Sequence, residues 1–348
     1  MYDNPRSLLV VHIAGMGETV MALPALRALR QQLPQTHITV ASAVSSAEIL
    51  KLSDCADEIL TVGRLRRAEA FRPRGLYRSV GALRSASRLS FDLAVELKRN
   101  AESAVMMNFA RPRQRLNAGT GHQQLRSAFE RLTGALRNDK TIRHQTQRYL
   151  ELLAPLGIRP MEAFPQLTTN RLADEKIEKL FENRGLPPGS LLVGVHPGSG
   201  DVALRWSAEH FMRIAERFVH NFHARILVLG GPQEHGIARQ IVSALPKNQA
   251  VAFESLKLDE FASVLARLSL LMANHSGPAH LAAALGTPVI AASINGNIPR
   301  REFSARDILG RSVTHIRGAQ AEDVYEDDVY EAACQVLKTS RADFLSVY

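Results

Sequence analysis

Asn274-His-Ser-Gly-Pro-Ala-His-Leu-Ala-Ala-Ala-Leu-Gly-Thr-Pro-Val-Ile290 is the stretch on which the reading of this chain turns. An apolar run at 268–273 leads into it, and a second at 289–292 leads out. The pattern is strand, tight turn, short helix, strand. Ser276 and Gly277 make the turn, and Pro278 suits the first helical position, where a missing N–H costs nothing. His280, Leu281, Ala284 and Leu285 recur at helical spacing, and Gly286 before Thr287-Pro288 ends the helix. A helix opening from such a turn at the carboxyl end of a strand presents free backbone N–H groups and a positive dipole end, which together suit a phosphate. An ordinary βαβ crossover has the same pattern, so on the pattern alone both readings stand.

The same unit recurs on either side. In the second half, strands are expected at 191–195, followed by His196-Pro-Gly-Ser-Gly200, at 225–229, followed by Gly230-Gly-Pro-Gln-Glu234, and at 251–253, with a closing helix at 323–338. The first half opens with a continuous apolar run at 8–13, of the kind found in a strand covered on both faces. Ala14-Gly-Met-Gly-Glu-Thr19 follows, and then Val20, Leu23, Leu26, Leu29 and Leu33 mark one helix face. This turn lacks the third glycine of a dinucleotide fingerprint and the Gly-Lys-Ser/Thr of a P-loop, so it supports neither ligand and implies no cofactor. Further strands are expected at 37–41, 58–62 and 91–97, a helix at 143–158 closing at Gly157, and a linker at 159–170. Strands alternating with helices imply parallel sheets covered on both faces.

With 348 residues, 45% of them hydrophobic, the chain can bury two cores. Cys55 and Cys334 lie far apart and form neither a disulfide framework nor a zinc site, which favours a reducing compartment. The first seven residues lead straight into a strand, and no run of about 18 apolar residues occurs, so a cytoplasmic protein without a membrane span is expected. The net charge of +9 is uneven: residues 61–148 carry 19 Lys and Arg against 6 Asp and Glu, and the remainder is net acidic. A solvated face explains such a run, and so does a surface for an anion or a membrane. No helix-turn-helix, zinc-finger or RNA-recognition signature accompanies the charge, so nucleic acid is not an expected partner. No Asp-x-Asp pair or His/Cys cluster offers a metal site.

The run Ser276-Gly-x-x-His-Leu-Ala-Ala-Ala-Leu-Gly-x-Pro288, the unit Gly15-x-Gly-Glu-x-Val-x-Ala-Leu-Pro-Ala-Leu26 and the helix from Arg143 to Ile158 resemble the ADP-heptose:lipopolysaccharide heptosyltransferases, glycosyltransferase family 9. The resemblance implies an α/β protein of GT-B type, with two Rossmann-like βα domains facing an interdomain cleft. Residues 1–168 would form the acceptor-binding domain and 169–348 the nucleotide-sugar domain, with the last helix able to pack back on the first. Three positions depart from the family pattern. Glu18 and His275 stand where the family usually has Asp, and Leu204 stands where it has a phosphate-binding Lys, with Arg205 next to it before Trp206.

Sugar transfer needs a base for the acceptor hydroxyl, positive groups for the departing diphosphate and exclusion of water. Carried over residue by residue, the resemblance makes Glu18 the base. It places the donor on Ser199, Gly200, Arg205, Glu234, His275, Ser276, Gly277, Pro278 and His280, and the acceptor on Gly15, Gly17 and Arg143; the basic charge of the first half adds Arg111 and Arg113 to the acceptor side. The implied reaction is metal-independent, inverting transfer of heptose from ADP-heptose to an anionic glycolipid of the lipopolysaccharide inner core, with peripheral contact at the cytoplasmic face of the inner membrane. The same fold acting on another donor or acceptor, including a protein, and a nucleotide-sugar-binding homologue without catalysis are the alternatives.

Overall fold

The computed structural model describes residues 5–63, 73–117, 144–159, 164–199, 205–231, 235–294, 313–318 and 324–345. The chain forms two compact units, Met1–Pro165 and Gln166–Tyr348. The second begins just before Leu167, whose N–H donates to Ala284 O at 2.8 Å and ties the incoming segment to that unit.

In the first unit the elements run β1 (Ser7–His12), α1 (Met16–Gln32), β2 (His37–Ala43), α2 (Val44–Ser53), β3 (Glu58–Val62), α3 (Pro73–Arg88), β4 (Leu93–Glu96), α4 (Ala101–Ala110), β5 (Gln114–Asn117) and α5 (Gln145–Leu153). The five strands are all parallel, in the order β3-β2-β1-β4-β5. Leu8 to Val11 are wholly buried, as the unbroken apolar run requires when both sheet faces are covered. Leu9, Val11, Leu60 and Val62 pack on one face against Ala82 and Ala86 of α3 and Met106, Met107 and Ala110 of α4. The helix expected at 143–158 is α5 followed by a tighter 3-10 turn, Ala154–Leu156. Pro155 lacks the N–H that would continue the α-helical ladder, and Gly157 closes the turn at φ 75°.

The second unit runs α6 (Arg171–Asn183), β6 (Leu192–His196), α7 (Ala208–Phe222), β7 (Arg225–Leu229), α8 (His235–Ala244), β8 (Ala250–Phe253), α9 (Leu258–Ala266), β9 (Leu270–Asn274), α10 (Gly277–Ala284), β10 (Val289–Ile294), β11 (Val313–Gly318) and α11 (Glu326–Leu345). Its six parallel strands are ordered β11-β10-β9-β6-β7-β8. The core joins Val193, Val195, Ile226, Val228, Leu270 and Met272 to Phe211, Ile214 and Phe218 of α7 and to Val329, Ala333 and Leu337 of α11. The strand–turn–helix–strand reading of 268–290 holds, with two adjustments. The strand starts at Leu270, not 268, and it runs on through Asn274, which is therefore the last strand residue and wholly buried.

Both sheets reverse their winding once. In the first, the chain moves outward from β1 through β2 to β3, then returns to β4 beside β1; in the second, it moves from β6 through β7 to β8 and returns to β9 beside β6. At such a reversal the loops after the two central strands splay apart and leave a crevice at their carboxyl ends, where open α/β sheets bind ligands. The crevices belong to the loops after β1 and β4 and to those after β6 and β9.

Candidate active site

In the first unit, Gly15 precedes α1 in an extended conformation, so the helix opens directly from the end of β1. Thr19 Oγ1 donates to Gly15 O at 3.0 Å, and Glu18 Oε2 accepts from Gly15 N at 3.3 Å. The facing loop is stitched to this turn by Asn100, whose Nδ2 donates to Ile13 O at 2.8 Å and whose Oδ1 caps α4 at Ser103 N. Lys98, just past β4, reaches across and pairs with Glu18 through its Nζ. The two side chains remain 31% and 23% exposed, so the pair is half-sunk in the crevice and still open to solutes.

The electrostatics follow from that placement. Burial pushes the Glu18 carboxyl up, but the hydrogen bond and charge of Lys98, with the Gly15 N–H, outweigh it and hold the group below its ordinary range. Glu18 is therefore ionised at neutral pH, the form in which a carboxylate accepts a proton. Beneath it, His12 ends β1 wholly buried, with its ring edge-on to Tyr149 at 5.3 Å. Burial lowers the His12 pKa to about 4 despite the nearby Glu18 charge, so this imidazole is neutral.

In the second unit, Ser276 stands at the N-cap of α10 without spending its hydroxyl on the helix, and Oγ lies 3.5 Å from His196 Nδ1. The first turn of α10 carries no acidic residue to offset its positive end. His275 N donates to Ala292 O at 3.0 Å, and its ring meets that of His280 edge-on at 5.1 Å. His196, last in β6, is buried; burial, with the Arg205 charge, lowers its pKa to about 4. Arg205 donates from a terminal nitrogen to Ser199 O at 3.0 Å, closing the loop after β6 on itself.

Asn274 joins the two loops. Its Oδ1 accepts from Trp206 N at 2.8 Å and its Nδ2 donates to Pro197 O at 2.7 Å, so one buried side chain holds both ends of the Pro197–Trp206 loop against the head of α10. Trp206 is itself immobilised: it is buried, donates from Nε1 to Val324 O at 3.1 Å and stacks on His210 at 4.9 Å. Ser199, Arg205, Ser276, Gly277, Pro278 and the His275–His280 pair are thus on loops or a helix end at one crevice. Gly15, Gly17 and Glu18 are at the other.

Arg111 and Arg113 are not. Arg113 N donates to Phe91 O, and Gln114 is level with Leu93, so both arginines sit at the amino edge of the first sheet. Lys98 lies seven residues further along that strand path, about 20 Å away at the rise of an extended chain. Among the described residues the cation that pairs with Glu18 is Lys98, and the exposed Arg99 follows it in the chain at the same edge of the sheet. Sequence reading passed over both, although their place immediately after a strand was a usable signal. Asn274 was passed over too, because its role needs a partner loop 68 residues away. Arg143, Gly200, Leu204 and Glu234, and the basic run at 64–72, lie outside the described residues. Among the described residues no group of three or more His, Cys, Asp or Glu is gathered as a metal site, and no helix is long and apolar enough to cross a membrane.

Two parallel-sheet α/β domains, each with a crevice at its winding reversal, define a glycosyltransferase fold of GT-B type. A family model described as glycosyltransferase family 9 (heptosyltransferase) matches residues 81–318, and the chain belongs to that family. It is similar to the lipooligosaccharide heptosyltransferase 2 of Haemophilus influenzae, at 23% identity over 82% of each chain. Its fold matches a family 9 glycosyltransferase from Veillonella parvula (TM-score 0.78, 18% identity, 97% of this chain and 99% of that one). It also matches the ADP-heptose LPS heptosyltransferase II of E. coli (TM-score 0.72, 19% identity, 96% and 99%).

Proposed function

We propose that this glycosyltransferase moves a heptose from ADP-heptose to an anionic inner-core sugar of a lipopolysaccharide precursor, with inversion and with Glu18 as general base. The observation that carries the reading is the Glu18–Lys98 pair: a carboxylate held ionised by a lysine at the crevice of the first sheet. Family membership and the names of the relatives supply the donor and acceptor classes.

In this reading Glu18 takes the acceptor hydroxyl proton as the oxygen attacks the anomeric carbon from the face opposite the diphosphate. The bond from that carbon to the diphosphate oxygen breaks, and ADP leaves with the electron pair. The transition state carries oxocarbenium character, so stabilising the departing charge lowers the barrier. The second unit would do this with the free amides at the Ser276–Gly277 helix end and the Arg205 guanidinium, whose fork fits phosphate oxygens. His275 and His280 line the same helix end, Ser199 and Gly200 supply further amides, and Glu234 takes the ribose hydroxyls. The helix-end amides and Arg205 would supply the positive charge, so that no metal ion is needed.

Purified protein incubated with ADP-heptose tests the reading by release of ADP. Release is expected only when a deacylated inner-core acceptor is present, and it should persist in EDTA. Binding of ADP-heptose with no turnover on any acceptor would make this a nucleotide-sugar-binding protein. Turnover confined to a different sugar or to a protein acceptor would keep the fold and the base and replace the substrate.

A further inference from the structure

We propose that the outer face of α3 and α4 is a docking surface for an anionic phospholipid bilayer. The two helices pack against each other and on the same face of the first sheet, so they form one platform. Over residues 79–116 the exposed positions include six arginines: Arg84, Arg88, Arg111, Arg113 and Arg115 on or beside the two helices and away from the Glu18 edge, and Arg99 at that edge. They also include the large apolar side chains Val80, Leu89, Val105 and Phe109, which are 46%, 37%, 41% and 49% exposed. Every other exposed residue there is Gly, Ala, Ser, Asn or Gln, and none is acidic. The stretch also contains three carboxylates, one buried and two half-buried. Glu96 is buried beside Ser103, Asp92 accepts from Arg6 N and Ser7 N and pairs with Arg113, and Glu102 is half-buried in the first turn of α4.

The combination selects the partner. Arginines alone would suit any polyanion, but Val80, Leu89, Val105 and Phe109 have nothing to read on a nucleic acid backbone. A second copy docked face to face would set arginines against arginines. A bilayer with anionic headgroups takes both features at once: guanidinium groups settle among the phosphates while the apolar side chains enter the boundary with the acyl chains. Elsewhere, the large apolar residues exposed among the described residues are Phe164, Leu172 and Tyr325, scattered on other segments. Leu89, Phe109 and Arg111 adjoin the carboxyl ends of α3 and α4, at the sheet edge remote from Glu18, so docking would leave the catalytic edge uncovered. That this surface serves to bring the enzyme to a glycolipid rests on the proposed function; the surface itself does not.

The test is co-sedimentation of the full chain with vesicles of phosphatidylcholine alone and of phosphatidylcholine mixed with phosphatidylglycerol. The protein is expected to pellet with the anionic vesicles, to stay in solution with the neutral ones and to be released by salt. Arg84→Gln with Arg88→Gln should weaken partitioning about 30-fold, the effect of two surface cations. Val105→Ser with Phe109→Ser should weaken it at least about 10-fold through lost apolar contact. Thermal melting and ADP release on a soluble deacylated acceptor should be unchanged in both double variants, since no side chain altered lies at the Glu18 edge. Wild type that stays in solution with both vesicles, or double variants that pellet like wild type, would overturn the proposal. So would a dimer in light scattering that Phe109→Ser converts to monomer, which would make the face a self-association surface. Anionic sedimentation without turnover of any soluble acceptor would leave the surface standing and remove the catalytic reading.

Discussion

The crevices of the two sheets are built on one plan and differ in whether the helix end carries a carboxylate of its own. Each central strand that opens its unit ends in a buried histidine, His12 or His196, whose pKa burial lowers to about 4. Each sheet also has a strand–turn–helix unit with the same succession of buried and half-buried residues, Val11–Val20 in one and Leu271–His280 in the other. The first places Glu18 in the opening turn of its helix and matches it with Lys98; the second has no acidic residue there, and an arginine stands on the neighbouring loop. A helix N-terminus favours negative charge in either case. What differs is whether the protein supplies that charge itself. Where it does, the carboxylate is available as a base; where it does not, the amides are left for the anion of a ligand.

The sharpest way to break this contrast is Glu18→Gln. The amide keeps the size and reach of the side chain but accepts no proton, so kcat should fall by about 10²- to 10⁴-fold with the Kd for ADP within a few-fold. A variant turning over at near the wild-type rate would reduce Glu18 to a helix-start carboxylate worth some tenths of a kcal/mol. Glu18→Asp, the family's usual residue, should retain activity.

Asn274→Ala attacks the other crevice. It leaves Trp206 N–H and Pro197 C=O without their partner, at about 1–3 kcal/mol for each buried group, and frees the loop that carries Arg205. ADP binding should weaken about 10-fold, an effect of ~1.4 kcal/mol, with the acceptor KM little changed. Equal losses for donor and acceptor in calorimetry would show that the whole chain, not one loop, had been loosened.

The paired histidines predict a pH dependence of stability. Between the ordinary value of 6.5 and the folded value of about 4, the unfolded chain binds protons that buried His12 and His196 refuse, so stability is lost as pH falls through that window. His196→Gln should flatten the fall in Tm; an unchanged slope would mean that His196 is protonated in the folded state. Lys98→Met has a smaller, kinetic signature. Lys98 stabilises ionised Glu18, so without it the carboxylate protonates at higher pH and the acid limb of kcat/KM moves upward. A limb that stays in place would detach Lys98 from the base. Last, Arg111→Glu with Arg113→Glu should change kcat/KM on a soluble acceptor by no more than about 2-fold, as surface substitutions do. A large rise in acceptor KM would support the acceptor-binding role that their charge suggests.

The sequence by itself determined the two-domain α/β fold, because parallel strands buried on both faces are written as unbroken apolar runs and each is followed by its own helix. It also determined both helix-start turns, since Gly15-x-Gly17 and Ser276-Gly277-Pro278 are local in chain and their geometry depends on a few backbone torsions. It did not determine which cations face those turns. Arg111 and Lys98 belong to the same basic segment and differ only in which end of a strand they adjoin, so strand direction and register put one beside Glu18 and the other at the far edge. The partnership of Asn274 with Trp206 and the neutrality of His12 likewise belong to the tertiary structure. Both arise from groups distant in sequence meeting in a place without water, and burial is a property of the packed molecule that no short stretch of sequence carries.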